Sequence, residues 1–189
     1  MVAAALDNHD ITQLLRAWHG GDGDAREALL TLVYNNVRAI AASSLRHAPG
    51  ATLTPTEIAH EALLRLIGGD ANWHDRRHFF HVVAQATRQV LVDAARRRYA
   101  SKRGGAAEHV AIEAAEHVAA NDADADLLRV DAALSDLARS DERRARTVEL
   151  AYFGGFSREE IAAALTVSEG TVDRDLRLAR AWLKQALTE

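Results

Sequence analysis

At 189 residues the chain is long enough for one large domain or two small ones. It contains no cysteine, which excludes disulfide scaffolds, cysteine nucleophiles and thiolate zinc sites. Hydrophobic residues make up 48% but aromatics only 5%, and the alanine-rich bias favours helices, because alanine loses no side-chain entropy there. No apolar run approaches the roughly 20 residues a membrane span needs. The short acidic start, Met1 to Asp10, does not read as a signal peptide, so a cytoplasmic protein without a membrane partner is expected.

A net charge of −4 conceals a segregation of sign. Arg76 to Arg103 holds eight basic residues against one acid, Asp93, whereas Glu108 to Asp126 holds six acids and no Lys or Arg. Local fields of this kind select partners more than the total does. The first stretch suits a polyanion and the second would avoid or mimic one.

In chain order, residues 11–47 predict two helices. Ile11, Leu14, Leu15 and Trp18 make one face, Gly20 to Asp24 breaks it, and Asp24 is the expected N-cap of the next helix. That helix places Leu29, Leu32, Val33, Val37 and Ile40 together. Thr54-Pro55-Thr56-Glu57 then forms a capping box with proline at the first helical position, opening a helix that runs to Gly68-Gly69. A polar loop, Asp70 to Arg77, precedes a long helix expected from about His78 to Arg98, with Val83, Ala86, Val90 and Ala94 inward. Residues 99–126 read as an acidic linker with room for a helical stretch, and as the domain boundary. Helical periodicity restarts at Leu127, Val130, Leu134 and Leu137, and Gly154-Gly155 stops a further helix. The expected fold is all-α: a domain over 1–98, a linker over 99–126 and a domain over 127–189.

Ser157-Arg158-Glu159-Glu160 is a second capping box, followed by Ile161, Ala162 and Leu165, the turn Thr166-Val167-Ser168, and a longer helix with Val172, Leu176, Ala179 and Leu183 inward. This spacing suits a helix-turn-helix whose second helix enters the DNA major groove. Its outward residues are Thr171, Arg174, Arg177, Arg180 and Lys184; arginine can reach guanine edges and the others phosphate. Two features oppose this. Thr166 stands where the turn usually has glycine, and Asp173 and Asp175 put negative charge on the same helix.

With these pieces in order, the chain resembles the bacterial sigma factors of the extracytoplasmic-function type over roughly residues 11–187. Ile58-Ala59-His60-Glu61-Ala62-Leu63-Leu64-Arg65-Leu66 is similar to the family's polymerase-binding helix. Phe79 through Arg98, ending Asp93-Ala94-Ala95-Arg96-Arg97-Arg98, is similar to its promoter-melting helix. Glu160-Ile161-Ala162, Gly170-Thr171-Val172 and Leu178-Ala179-Arg180 are similar to its second-domain signature. The resemblance implies a non-enzymatic function without cofactor or metal. The first domain would dock on core RNA polymerase at its clamp through Glu57, His60, Glu61 and Arg65, with the flap as a further contact region. It would bind the minus-ten element through Asn72, Trp73, His74, Arg76, Arg77, Gln85, Arg88, Gln89, Arg96, Arg97 and Arg98. Arginines can track phosphate, while stacking and amide bonds suit a flipped base. The second domain would read the minus-thirty-five element with Thr171, Arg174, Arg177, Arg180 and Lys184. The acidic linker would lie in a basic polymerase channel.

Most members open the polymerase-binding helix with clustered acids; here only Glu57 is left. Charge complementarity sets docking rate and specificity, so the unmodified chain is expected to dock weakly. In this the chain resembles the subgroup that lacks the acids and is controlled by threonine phosphorylation: a phosphate on Thr54 or Thr56, or less favourably Thr52, would restore charge where a helix start tolerates an anion, and the resemblance implies a Ser/Thr protein kinase. An anti-sigma partner is left open. His74, His78 and His81 have a ligand-like spacing, but without a fourth ligand no metal site is expected. The competing readings are a dimeric helix-turn-helix regulator acting without polymerase, and a helical adaptor that binds only protein.

Overall fold

The computed structural model describes residues 8–45, 53–68, 75–104 and 123–188. Among them every regular element is an α-helix: α1 Asn8–His19, α2 Gly23–Leu45, α3 Pro55–Gly68, α4 Arg76–Gly104, α5 Ala123–Ser140, α6 Glu142–Tyr152, α7 Arg158–Leu165 and α8 Glu169–Ala186. Thr52, Asn72, Trp73 and His74 lie outside the described residues, as does most of the acidic segment after Gly105.

The helix starts follow local hydrogen-bond chemistry. Gly21 takes a positive φ of 92° after α1, and the Asp22 carboxylate then accepts the Asp24 and Ala25 N–H groups at 2.9 and 3.2 Å. Asp22, and not the expected Asp24, therefore caps α2, because its oxygen reaches the orphan donors of the first turn. At α3 the expected box is present: Thr54 Oγ1 accepts from Glu57 N at 3.2 Å, and Glu57 Oε2 accepts from Thr54 N at 2.6 Å. Asp75 Oδ1 accepts the His78 N–H at 2.8 Å, so α4 begins at Arg76, earlier than expected. Arg76 and Arg77 accordingly belong to its first turn and not to the loop.

Helix α4 also continues past Arg98 to Gly104, and α5 begins at Ala123. The reason for both extensions is visible at one contact. Arg98 Nε and Nη2 reach Asp124 Oδ1 at 2.9 and 2.6 Å, and this ion pair is buried, with the side chains 8% and 3% exposed. The two ends expected to be linker are thus helical and tied to each other.

Helices α1, α2 and α3 pack against one side of α4, while α5, α6 and α7 pack against another. The result is a single apolar core from Ile11 to Ala179 that crosses α4. Phe79 and Phe80, adjacent in sequence, are both buried, as are Leu91, Val92, Ala94 and Ala95. Neighbouring residues on a helix point about 100° apart, so burial of both requires cover on two sides. Phe80 meets Phe156, from the α6–α7 turn, with ring centroids 4.1 Å apart. Gly155 beside it has φ +67°, and a Cβ there would come within 2.9 Å of Asn36 Oδ1 and 3.1 Å of Ile40 Cδ1 on α2. Only glycine lets that turn sit so close.

Candidate functional site

The α7–turn–α8 unit has the geometry its sequence forecasts. Ser157 and Glu160 close a capping box, with Ser157 Oγ accepting from Glu160 N and Glu160 Oε2 accepting from Ser157 N. Ser168 Oγ accepts from Thr171 N to start α8. Thr166, between the helices, is left-handed at φ 57°, ψ 47°. Val172, Leu176 and Ala179 turn inward, leaving Arg174, Arg177, Arg180 and Lys184 exposed and Thr171 half-buried. Arg180 Nε donates to the Tyr152 hydroxyl at 2.8 Å, with its guanidinium 5.8 Å from that ring.

The acids on α8 that count against DNA approach are occupied. Asp175, 1% exposed, accepts from Arg143 Nε at 2.8 Å and Nη2 at 3.2 Å, locking α8 to α6. The same carboxylate holds the Arg143 guanidinium above its ordinary pKa, first through the hydrogen bond and then through charge. Asp173 is paired with Arg158. The outward face of α8 is therefore predominantly basic.

On α4 the candidate strip is partly covered. Gln85, Arg88, Gln89, Val92 and Arg96 line a groove whose opposite wall is Asp131 of α5 and Glu149 of α6. Arg88 is the hub: Nε donates to Asp131 Oδ1 at 2.8 Å, Nη2 to the Asp131 carbonyl and Ser135 Oγ at 2.9 Å, and Nη1 to Glu149 Oε1 at 3.3 Å. Arg96 Nη2 reaches Asp131 Oδ2 at 3.4 Å. Arg98 is buried against Asp124, away from the strip, since its place on the helix falls on the Phe80 side and not the Arg96 side. Arg97 turns to α3, where Nη2 lies 3.3 Å from both Glu61 carboxylate oxygens. At the N-terminal end, Arg77 Nε donates to the Ala164 carbonyl at 3.0 Å. The Arg76 guanidinium lies 5.0 Å from the Phe80 ring centroid, and its Nε and Nη2 are buried without a hydrogen-bond partner among the described residues. Burial lowers its pKa, opposed by the Glu160 and Glu159 charges.

Helix α3 divides into two faces. Ile58, Ala59, Ala62 and Leu66 are buried, whereas Glu57, His60, Leu64 and Ile67 form an exposed stripe at spacings of three and four. Leu64 is 70% exposed and Ile67 43%. Of the expected polymerase contacts, Glu61 and Arg65 lie to one side, because Arg65 Nη2 donates to Glu61 Oε1 and to Asp93 Oδ2, both at 2.9 Å, in a network that includes Arg97. Thr54 and Thr56 are exposed at the helix start. The Thr54 backbone N–H, and then its side chain, hold the Glu57 carboxyl below its usual pKa.

Sequence reasoning missed the carboxylates Asp124, Asp131 and Glu149 that meet the α4 arginines, and the apolar Leu64 and Ile67. The first group was hidden because only packing shows which acids face which bases. The second was readable, since Leu64 and Ile67 fall off the buried stripe. Among the described residues no group of His, Asp and Glu could hold a metal ion, and no helix is long and apolar enough to cross a membrane.

Compared with curated proteins and with solved structures, the chain matches none. A family model described as ECF sigma factor matches residues 8–189, from the first turn of α1 to the last residue. That span takes in the α3 stripe, the α4 strip and the helix-turn-helix, and the chain therefore belongs to the extracytoplasmic-function sigma factors, which bind core RNA polymerase and direct it to promoters.

Proposed function

We propose that this sigma factor docks on polymerase only after phosphorylation at the start of α3, at Thr54 or Thr56, with Thr52 the lesser candidate. The supporting observation is the state of the one acid there. Glu57 is the one acid of the first turn and its carboxylate folds back to accept the Thr54 N–H, so a single exposed carboxylate stands beside the exposed apolar stripe of α3. A phosphothreonine adds about −1.5 to −2 charges, and the helix start supports an anion through its dipole and orphan N–H groups. At Thr56 the phosphate would leave the capping box intact; at Thr54 it would displace the hydroxyl that caps Glu57 N. The stripe of Glu57, His60, Leu64 and Ile67 is then the polymerase-docking face, its apolar part supplying area and its phosphate supplying charge.

The division of labour follows the same reading. The part of the chain up to Arg98 docks on polymerase and engages the minus-ten element, using the Gln85, Arg88, Gln89 and Arg96 strip together with Arg76, Arg77 and the segment Asn72 to His74. The part from Leu127 onward reads the minus-thirty-five element through Thr171, Arg174, Arg177, Arg180 and Lys184 on α8. Exposure of four basic side chains on one face of α8, with both acids occupied, supports this. A kinase is the implied regulator.

The test is polymerase capture by the wild type, by Thr54→Ala and Thr56→Ala, and by the corresponding Glu forms, with a kinase-treated wild type beside them. Capture should strengthen by about tenfold or more with restored charge and fall in the Ala forms after kinase treatment. An untreated wild type that binds as tightly as every charged form would overturn the gating.

A further inference from the structure

We propose that Leu178 is a specificity-determining residue of α8: it packs on the C5-methyl of a thymine in the major groove and so sets one base of the minus-thirty-five preference. This rests on the assignment of α8 to that element. Four large apolar side chains stand exposed among the described residues: Leu64, Ile67, Tyr152 and Leu178. Leu64 and Ile67 belong to the α3 stripe, and Tyr152 holds Arg180 through its hydroxyl and its ring. Leu178, 39% exposed, lies instead among the outward arginines of the helix-turn-helix. Arg174, Leu178, Ala181 and Gln185 are all exposed and follow at spacings of four, three and four, which makes one strip of the helix. Arg177 and Lys184 flank Ala181 on the adjoining strip. The face therefore has an apolar middle, Leu178 with Ala181, inside a basic rim.

A basic rim and an apolar middle fit the two chemistries of a DNA groove. Phosphates line its edges and meet arginine and lysine, whereas leucine has no hydrogen bond to give them. Base edges on the groove floor show donors and acceptors, and thymine alone adds a methyl group. Covering Leu178 with that methyl takes apolar surface of both partners out of water. The direction of the side chain is held from both flanks. Asp175, one turn before Leu178, accepts from Arg143 of α6 at 2.8 and 3.2 Å, and Arg180, two residues after it, donates to Tyr152 at 2.8 Å. These contacts fix the rotation of α8 on α6, so Leu178 meets the groove in one orientation with little left to order on binding.

The probe is a library of DNA duplexes randomised over a promoter-length window. It is captured by core polymerase assembled with an excess of the full-length chain, in unmodified and Thr54→Glu/Thr56→Glu forms. Arg174→Ala/Arg177→Ala marks the block that α8 reads, because that block should lose its enrichment in this variant. Each thymine of the block is then replaced in turn by deoxyuridine, which lacks only the methyl. At one thymine the replacement should weaken capture by the wild type about fourfold, the effect of one buried methyl-sized group. Leu178→Ala, which keeps a good helix former in place, should bind the thymine and deoxyuridine duplexes alike. A block without thymine, a wild type indifferent to every methyl, or a Leu178→Ala chain that discriminates as the wild type does overturns this inference alone. So does weaker capture of core polymerase by Leu178→Ala with its base preference unchanged, which would place Leu178 against protein. No enriched sequence, or no block that depends on Arg174 and Arg177, sinks the assignment of α8 and this inference with it.

Discussion

Thr166 shows how a single residue separates what sequence forecasts from what folding settles. A β-branched residue is costly at positive φ, so its position in the helix-turn-helix turn argued against that motif. The structure nevertheless holds it at φ 57°, ψ 47°, where the flanking capped helices dictate the turn. The strain should be measurable. Thr166→Gly relieves a left-handed cost of about 1–2 kcal/mol and gives back about 0.5–1 kcal/mol in chain entropy, for a net gain of roughly 0.5–1 kcal/mol. Urea denaturation should show a raised midpoint; a lowered one would mean that the threonine side chain contributes something its backbone angle conceals. Glu57 offers a second residue-scale test. Its folded pKa is depressed, so its contribution is present above the ordinary carboxylate pKa and is lost as pH falls through the depressed value. In a Thr54→Ala variant the Glu57 titration, followed by NMR, should move up toward the usual range because one of its two hydrogen-bonding causes is gone. An unmoved midpoint would leave the backbone N–H as the sole cause.

At the scale of elements, the capping boxes at Thr54 and Ser157 were legible because their chemistry is local, and each forms as its four residues require. Ser157→Ala should destabilise the second half by about 1 kcal/mol, read from its denaturation midpoint, and no change would mean Glu160 alone secures the helix start. Asp173 and Asp175 were legible as acids but not as partners. Their bonds come from Arg158 and Arg143, fifteen and thirty-two residues away, which no spacing rule connects. Asp175→Ala should cost about 1–3 kcal/mol by removing a charge-assisted pair at a buried site, again measured by denaturation. A loss near zero would show that α6 and α8 are held by Val148, Val172 and Leu176 packing without it. On α4 the sequence disclosed one apolar stripe and missed the second. Phe79-Phe80 and Leu91-Val92, each an adjacent apolar pair, carried that signal, because a helix covered on one side alone has no use for both members.

The whole molecule is where sequence is least informative. Two helical halves and an acidic segment could be read from periodicity and charge, but not that α5 and α6 close over α4. That closure depends on distant pairings such as Arg88 with Asp131 and Glu149, and Phe80 with Phe156. The most direct measurement is capture of core polymerase by the wild-type chain before and after phosphorylation at the start of α3. Phosphorylation should strengthen capture by about tenfold or more, through charge restored beside the exposed stripe of α3. Equal capture by the unmodified and the phosphorylated chain would contradict the gating.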